Sequence, residues 1–175
     1  MRRVLAVAMV GVMLSACTDS TGPDAEVEER EIEYMTFSID HHAAGVLVAS
    51  VCVERAVNAD LRALCQENVA DQNQEIEQLR GWLQEWYGET HEPEIEPSQV
   101  AMVAQLRTLS GGAFEIAFME HFIEHHAMIV ERSREVLSEG MEHMELREMA
   151  SMIIQVQSEN NGKMDSWLCL RYQRC

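Results

Sequence analysis

The chain has 175 residues, 47% of them hydrophobic, and a formal charge of −17. That is enough apolar material for one domain with a real core plus appendages, and the acidity argues against binding nucleic acid or anionic lipid through the folded surface. Such charge suits the attraction of cations, although a solvated acidic face needs no ligand to account for it.

Met1-Arg2-Arg3 and the apolar run from Val4 to Leu14 have the form of an export leader, too short to span a bilayer stably. It ends in Leu14-Ser15-Ala16-Cys17, a bacterial lipobox pattern that predicts a signal peptide over residues 1–16 and lipid, such as palmitate, on Cys17. The alternative is a simple secretory leader with an incidental cysteine. Thr18, rather than aspartate, after that cysteine favours sorting to an outer membrane. Residues 17–30 are rich in Gly, Pro, Ser, Thr and acid and read as a flexible tether. No later stretch is expected to cross a bilayer, so residues 31–175 should form a folded domain on the periplasmic or outer-membrane side of the cell envelope, touching membrane only through the lipid.

From Glu31 the pattern is helical. Ile32, Met35, Ile39, His42, Val46, Ala49 and Val53 fall on one seam of a first helix ending near Val57. A second, N-capped at Asp60, carries Leu61, Leu64, Val69, Ile76, Leu79 and Leu83. Gly88 to Pro97 breaks the pattern as a crossover, and a short helix from Ser98 to Leu109 follows. A third long helix spans Phe114 to Leu137 with a seam of Ile116, Met119, Ile123, His126, Val130, Ser133 and Leu137, and a fourth spans Met144 to Leu168. No alternating strand pattern competes, so the fold class is all-α.

In an exported protein an even number of further cysteines favours disulfides. Cys52 and Cys65 flank the turn between the first two helices, which predicts Cys52–Cys65, and Cys169–Cys175 is the remaining pair. Thiolate ligation of a metal is the alternative, though neither pair has the tight spacing of zinc sites.

The two halves repeat each other. Asp40-His41-His42 is followed by Gln72, Glu75, Leu79 and Trp82; Glu124-His125-His126 is followed by Gln157, Asn160, Met164 and Trp167. Two αα-hairpins of one plan, each too small to bury its own apolar face, predict a four-helix bundle.

Imidazole suits most transition metals, and bundle cores are where facing helices assemble such sites. His121 and His125 share a helix face, and Glu120 and Glu124 form a parallel acidic pair. His42 and His126 fall on apolar seams, which predicts their approach across the pseudo-twofold. Gln72, Glu75, Gln157 and Asn160 are candidate ligands or groups that orient the rings, as are Asp40, Glu124 and Met164. A histidine on an apolar seam is more often a hydrogen-bonded core residue than a ligand. What raises the metal reading is the repetition. His91 and His143 read as surface residues, and packing accounts for most methionines. Ligation needs neutral rings, so binding should weaken below about pH 6.

Leu106 to Val130, with Gly112, Phe114-Glu115, Phe118, His125-His126 and Ile129, resembles a CopM-like bacterial family whose domain is of unknown function. Gln72-x-x-Glu75-Ile76 and Trp82-Leu83 match its second-helix pattern, and the likeness extends from about Met35 to Leu168. The resemblance implies a ferritin-like helical bundle and an exported copper-binding role. The family's flanking methionine positions read Phe37, His121, Val48 and Arg132 here, and the residue before each pair is acidic. Exchanging thioethers for imidazole and carboxylate shifts preference from Cu(I) toward Cu(II), Zn(II) or Fe.

The expected function is therefore a lipid-anchored, non-enzymatic metal-binding protein outside the cytoplasm, acting in buffering, delivery or resistance, with ligands among His41, His42, His121, His125 and His126. A metal-free envelope interaction module held by disulfides is the alternative. A ferritin-like oxidase is disfavoured because no Glu-x-x-His spacing occurs.

Overall fold

Residues 23–175 are described by a computed structural model, and their five helices follow the predicted order: α1 (Pro23–Arg55), α2 (Ala59–Tyr87), α3 (Pro97–Leu106), α4 (Gly111–Glu139) and α5 (Met144–Tyr172). The described residues contain no strand. The leader, Cys17 and the first part of the expected tether lie outside them.

Several boundaries differ from expectation, and those of α1, α2 and α3 have local reasons. Helix α1 starts at Pro23, so residues 23–30 are helix rather than tether. Asp24 and Glu26 suit the positive end of the helix, and Arg30 anchors the next turn on the Gly140 carbonyl at 2.8 Å and the Glu139 carboxylate at 3.1 Å. The cap of α2 is Asn58, whose Oδ1 accepts from Asp60 N and Leu61 N at 2.9 and 3.3 Å. Asp60 instead pairs with Arg171 across the bundle end, at 2.7 Å. Helix α3 is capped at Glu96, not Ser98, because proline occupies its first turn, and it stops at Leu106.

Contacts at the helix ends fix the topology. The start of α1 meets the end of α4 through Arg30 and Glu139. The end of α1 and start of α2 meet the start of α4, where Glu115 accepts from Val57 N and Asn58 N, each at 2.7 Å. Helices α2 and α4 therefore run in the same direction, joined by a crossover along the length of the bundle. This is the up-down-down-up arrangement of ferritin-like folds. The Cys52–Cys65 disulfide ties α1 to α2, and Cys169–Cys175 staples the tail to the last turns of α5.

Glu115 is one of a matched pair of buried carboxylates. Its other oxygen accepts from the Tyr172 hydroxyl. At the opposite end, fully buried Glu31 accepts from Glu142 N and His143 N at 2.6 and 3.0 Å, and from the Tyr87 hydroxyl and His143 Nδ1. Each carboxylate leaves the first turns of its own helix and satisfies the free backbone N–H groups that begin the second helix of the other half.

Between these clamps lies a core in two apolar sections. One gathers Val48, Cys52, Leu64, Phe114, Phe118, Phe122 and Leu168; the other gathers Tyr34, Ile39, Leu79, Ile129, Val136 and Ile153. Dividing them at mid-height is a buried polar layer containing His41, His42, Gln72, His125, His126 and Gln157. Contrary to expectation, α1 is by length and composition apolar enough to cross a membrane, with mean hydropathy 1.3 over its best window. That apolarity serves packing, since 56% of the window is buried against the other helices.

Candidate metal centre

Mid-helix positions on α1 and α4 bring two His-His pairs to the same height. The contact across the halves is made by the first member of each pair. His41 lies flat on His125, with ring centroids 3.7 Å apart and planes 16° apart. The ring stack across the halves is thus His41 on His125 and not His42 on His126; His42 turns to α2 and His126 to α5, though His42 stays near enough to disfavour charge on His126. Within the pairs the centroids are 5.9 and 6.2 Å apart.

Neighbours fix the tautomers. A carbonyl can only accept, so His41 Nε2 donates to the His125 carbonyl at 2.9 Å and leaves its Nδ1 lone pair free. Asn161 donates through Nδ2 to the Ile123 carbonyl at 3.1 Å, which points its Oδ1 at His126 Nδ1, 3.0 Å away. His126 therefore presents Nε2 as its lone pair. His42 Nε2 lies 3.0 Å from Glu75 Oε2 but is not aligned for a hydrogen bond. His125 has no partner at either nitrogen, and the Gln72 amide has none at either end. Such orphaned polar atoms cost about 1–3 kcal/mol each when buried.

Gly45 creates part of this space. A Cβ there would stand 2.2 Å from Gln72 Oε1 and 2.9 Å from His125 Nε2. The absent side chain is a cradle for donor atoms, and it overrides the usual penalty of glycine inside a helix.

Burial keeps His41, His125 and His126 neutral. It lowers His41 to about 3, with the neighbouring His42 as a second cause, and His126 to about 4 against the opposing bond from Asn161. His125 is pushed well below the ordinary imidazole value by burial, then by His41 and His126. His121, half-buried with an unpartnered Nε2, is lowered by burial against the nearby Glu124. Neutral rings with free lone pairs are metal ligands in waiting. A depression of about 270 Å³ opens on the stacked rings, walled by Phe37, Glu94 and Met128 among others.

The other candidates divide. Gln72, Glu75 and Gln157 join the layer. Asp40 does not: its Oδ1 accepts from His91 Nε2 and Glu94 N, each at 2.7 Å, and pins the crossover. Glu124 is exposed, and Met164 packs in the apolar core. Asn160 stands 3.4 Å from Lys163 Nζ, and its expected role beside His126 falls to Asn161, one residue on. His91 and His143 are not free surface residues, since His143 is bound to Glu31 and stacked on Trp86 at 3.8 Å. Among the described residues, no three His, Cys, Asp or Glu side chains converge as a group able to hold an ion. The layer is thus a set of adjacent donors, in which closing on an ion requires ring or amide rotation.

Fold and layer together define a duplicated helical bundle with buried, neutral imidazoles at its waist. The family model for DUF305, a domain of unknown function, matches residues 31–168, and the chain belongs to that family. Among solved structures, the chain is similar to CopM in its Cu(I)-bound form, at 22% identity and TM-score 0.72, covering 81% of this chain and 97% of that one. CopM in a silver-bound form gives 22% and 0.69, with 79% and 94% covered. A DUF305 fragment from Deinococcus radiodurans gives 24% and 0.69, with 79% and 95% covered. Likeness at this identity establishes the shared fold. No protein of curated function matches the sequence.

Proposed function

We propose that the protein binds copper as cargo in the imidazole layer, for buffering or delivery outside the cytoplasm, and performs no catalysis of its own. The observation that carries this reading is the His41–His125 stack. Both rings are buried and neutral, with lone pairs left unpartnered beside the Gly45 cradle. CopM, of the same fold, has been solved with Cu(I), Cu(II) and silver, which supports a copper-class ion here.

Charge favours the monovalent ion at the stacked pair. His41, His125 and Gln72 are neutral donors in a buried setting, where each added unit of uncompensated charge is costly. Met128 adds a soft thioether at the mouth. A divalent ion would need a carboxylate, either Glu75 within reach of His42 or one of Asp40, Glu94 and Glu96 at the mouth. Lipid attachment at Cys17 would hold the domain at the membrane where exported copper passes.

Anaerobic titration of the protein with Cu(I), followed by desalting and elemental analysis, tests the reading. Stoichiometric copper should remain in the wild type and be lost in His41→Ala/His125→Ala, whose circular dichroism stays helical. A wild type that retains no copper, zinc or iron would leave the metal-free interaction module.

A further inference from the structure

The helices α2 and α5 diverge on the side of the bundle away from the mouth at His41 and His125. Between them runs a groove of about 440 Å³. Its walls hold the carboxylates Asp71, Glu75, Glu145 and Glu148 and the thioethers of Met149 and Met152, and no basic side chain lines it. Acidic walls alone would be a solvated surface. What distinguishes this groove is the group behind it. Glu75 lines the groove, and 3.0 Å from its Oε2 stands His42 Nε2, fully buried and without a hydrogen-bond partner.

We propose that the α2–α5 groove is the capture site for the incoming metal cation, with Glu75 the gate that passes it inward to His42. This rests on the metal-binding reading above and adds to it a second site and a direction of entry. Carboxylates raise the local cation concentration in a low-dielectric cleft, and thioethers at the wall select a soft ion from harder competitors. Glu75 can meet the ion at the groove and remain beside it as His42 takes over, so the charge is accompanied while it loses water. No bond other than metal–ligand bonds changes, and no electron is moved.

The test is the rate of Cu(I) uptake by the protein from a coloured Cu(I) chelate, followed anaerobically by stopped flow. Glu145→Gln/Glu148→Gln removes two of the groove's four carboxylates without touching the buried rings, and Glu54→Gln/Asp165→Asn makes the same charge change at exposed positions at the opposite end of the bundle. The groove pair should slow uptake about tenfold while the distant pair changes it less than about twofold, with the copper content at equilibrium unchanged in both. Equal slowing by the two pairs, or no slowing by either, would overturn the groove proposal and leave the imidazole site standing. A wild type that takes up no Cu(I) would overturn both.

Discussion

At an offset of 84 residues α1 and α4 align position for position, so each difference between them marks a difference in task. Glu31 matches Glu115, and His41-His42 matches His125-His126. Around this shared frame the surroundings diverge. Gly45 on α1 opens space for Gln72 and His125, whereas the matching Ile129 on α4 fills the core. The second histidine of the first half faces a carboxylate, Glu75; that of the second half is oriented by a neutral amide, Asn161. The first half supplies room and charge, and the second supplies an aligned ring. A repeated motif has become an asymmetric site while its structural clamps stayed the same.

The largest expected effect comes from acid. His41 is held at about 3 and His126 at about 4, against about 6.5 in the unfolded chain. Between those limits the unfolded chain binds protons that the folded chain refuses. Stability is therefore full above about pH 6.5 and falls as pH drops toward 4, by about 1.4 kcal/mol per pH unit for each histidine. Urea midpoints of the metal-free protein from pH 7 to 4.5 give the slope. His41→Leu and His126→Leu should each remove one histidine's share, and a slope that responds to only one of them would break the equivalence of the halves. The same burial moves proton competition for metal well below the expected onset near pH 6.

Next in size are the clamps. Glu31→Ala and Glu115→Ala each strand two backbone N–H groups and a tyrosine hydroxyl, at a cost of about 3 kcal/mol. Glu31 has His143 as a further partner. Burial would raise its carboxyl, yet the bonds from Tyr87 and His143 hold it below the ordinary value. Denaturant unfolding of both variants at pH 7 should show similar losses. A loss below about 1 kcal/mol at either end would mean that end is held by its apolar neighbours instead.

The smallest effect on stability sharpens the comparison most. Gly45→Ala gains helix propensity of about 1 kcal/mol, roughly offset by displacing the flexible end of Gln72 and shifting the His125 ring, whose Nε2 would lie 2.9 Å from the new Cβ. Its unfolding free energy should change by less than about 1 kcal/mol, yet Cu(I) affinity, measured by chelator competition, should fall about tenfold. Unchanged affinity would remove Gly45 and Gln72 from the site.

Much of the fold was legible because apolar spacing reports directly on helix faces. The seams on α1 and α4, the crossover and the repeat of the two hairpins all follow from it. The disulfide partners were legible from the turn between Cys52 and Cys65. The site was legible only to the level of the histidines. Spacing places His42 and His126 on apolar seams, but the helix–helix approach decides which rings meet, and it chose His41 and His125. Asn161 was obscured because α2 and α5 align at a constant offset of 85 residues, at which it matches the apolar Ile76 and not Glu75. Gly45 carries no periodic signal, since its contribution is a missing atom. The clamp glutamates looked like ordinary members of an acidic chain; Phe114-Glu115 and the matching Glu31, each at the same distance before a His pair, were the available sign.

The reciprocity of those clamps has a geometric consequence. Glu31 on the first hairpin closes on the turn of the second, and Glu115 on the second closes on the turn of the first. That is the self-complementary contact of a twofold dimer, in which each subunit offers the other the same surface. The polypeptide between residues 88 and 110, α3 included, thus joins two halves that already specify one another, leaving each free to change its interior without losing its mate.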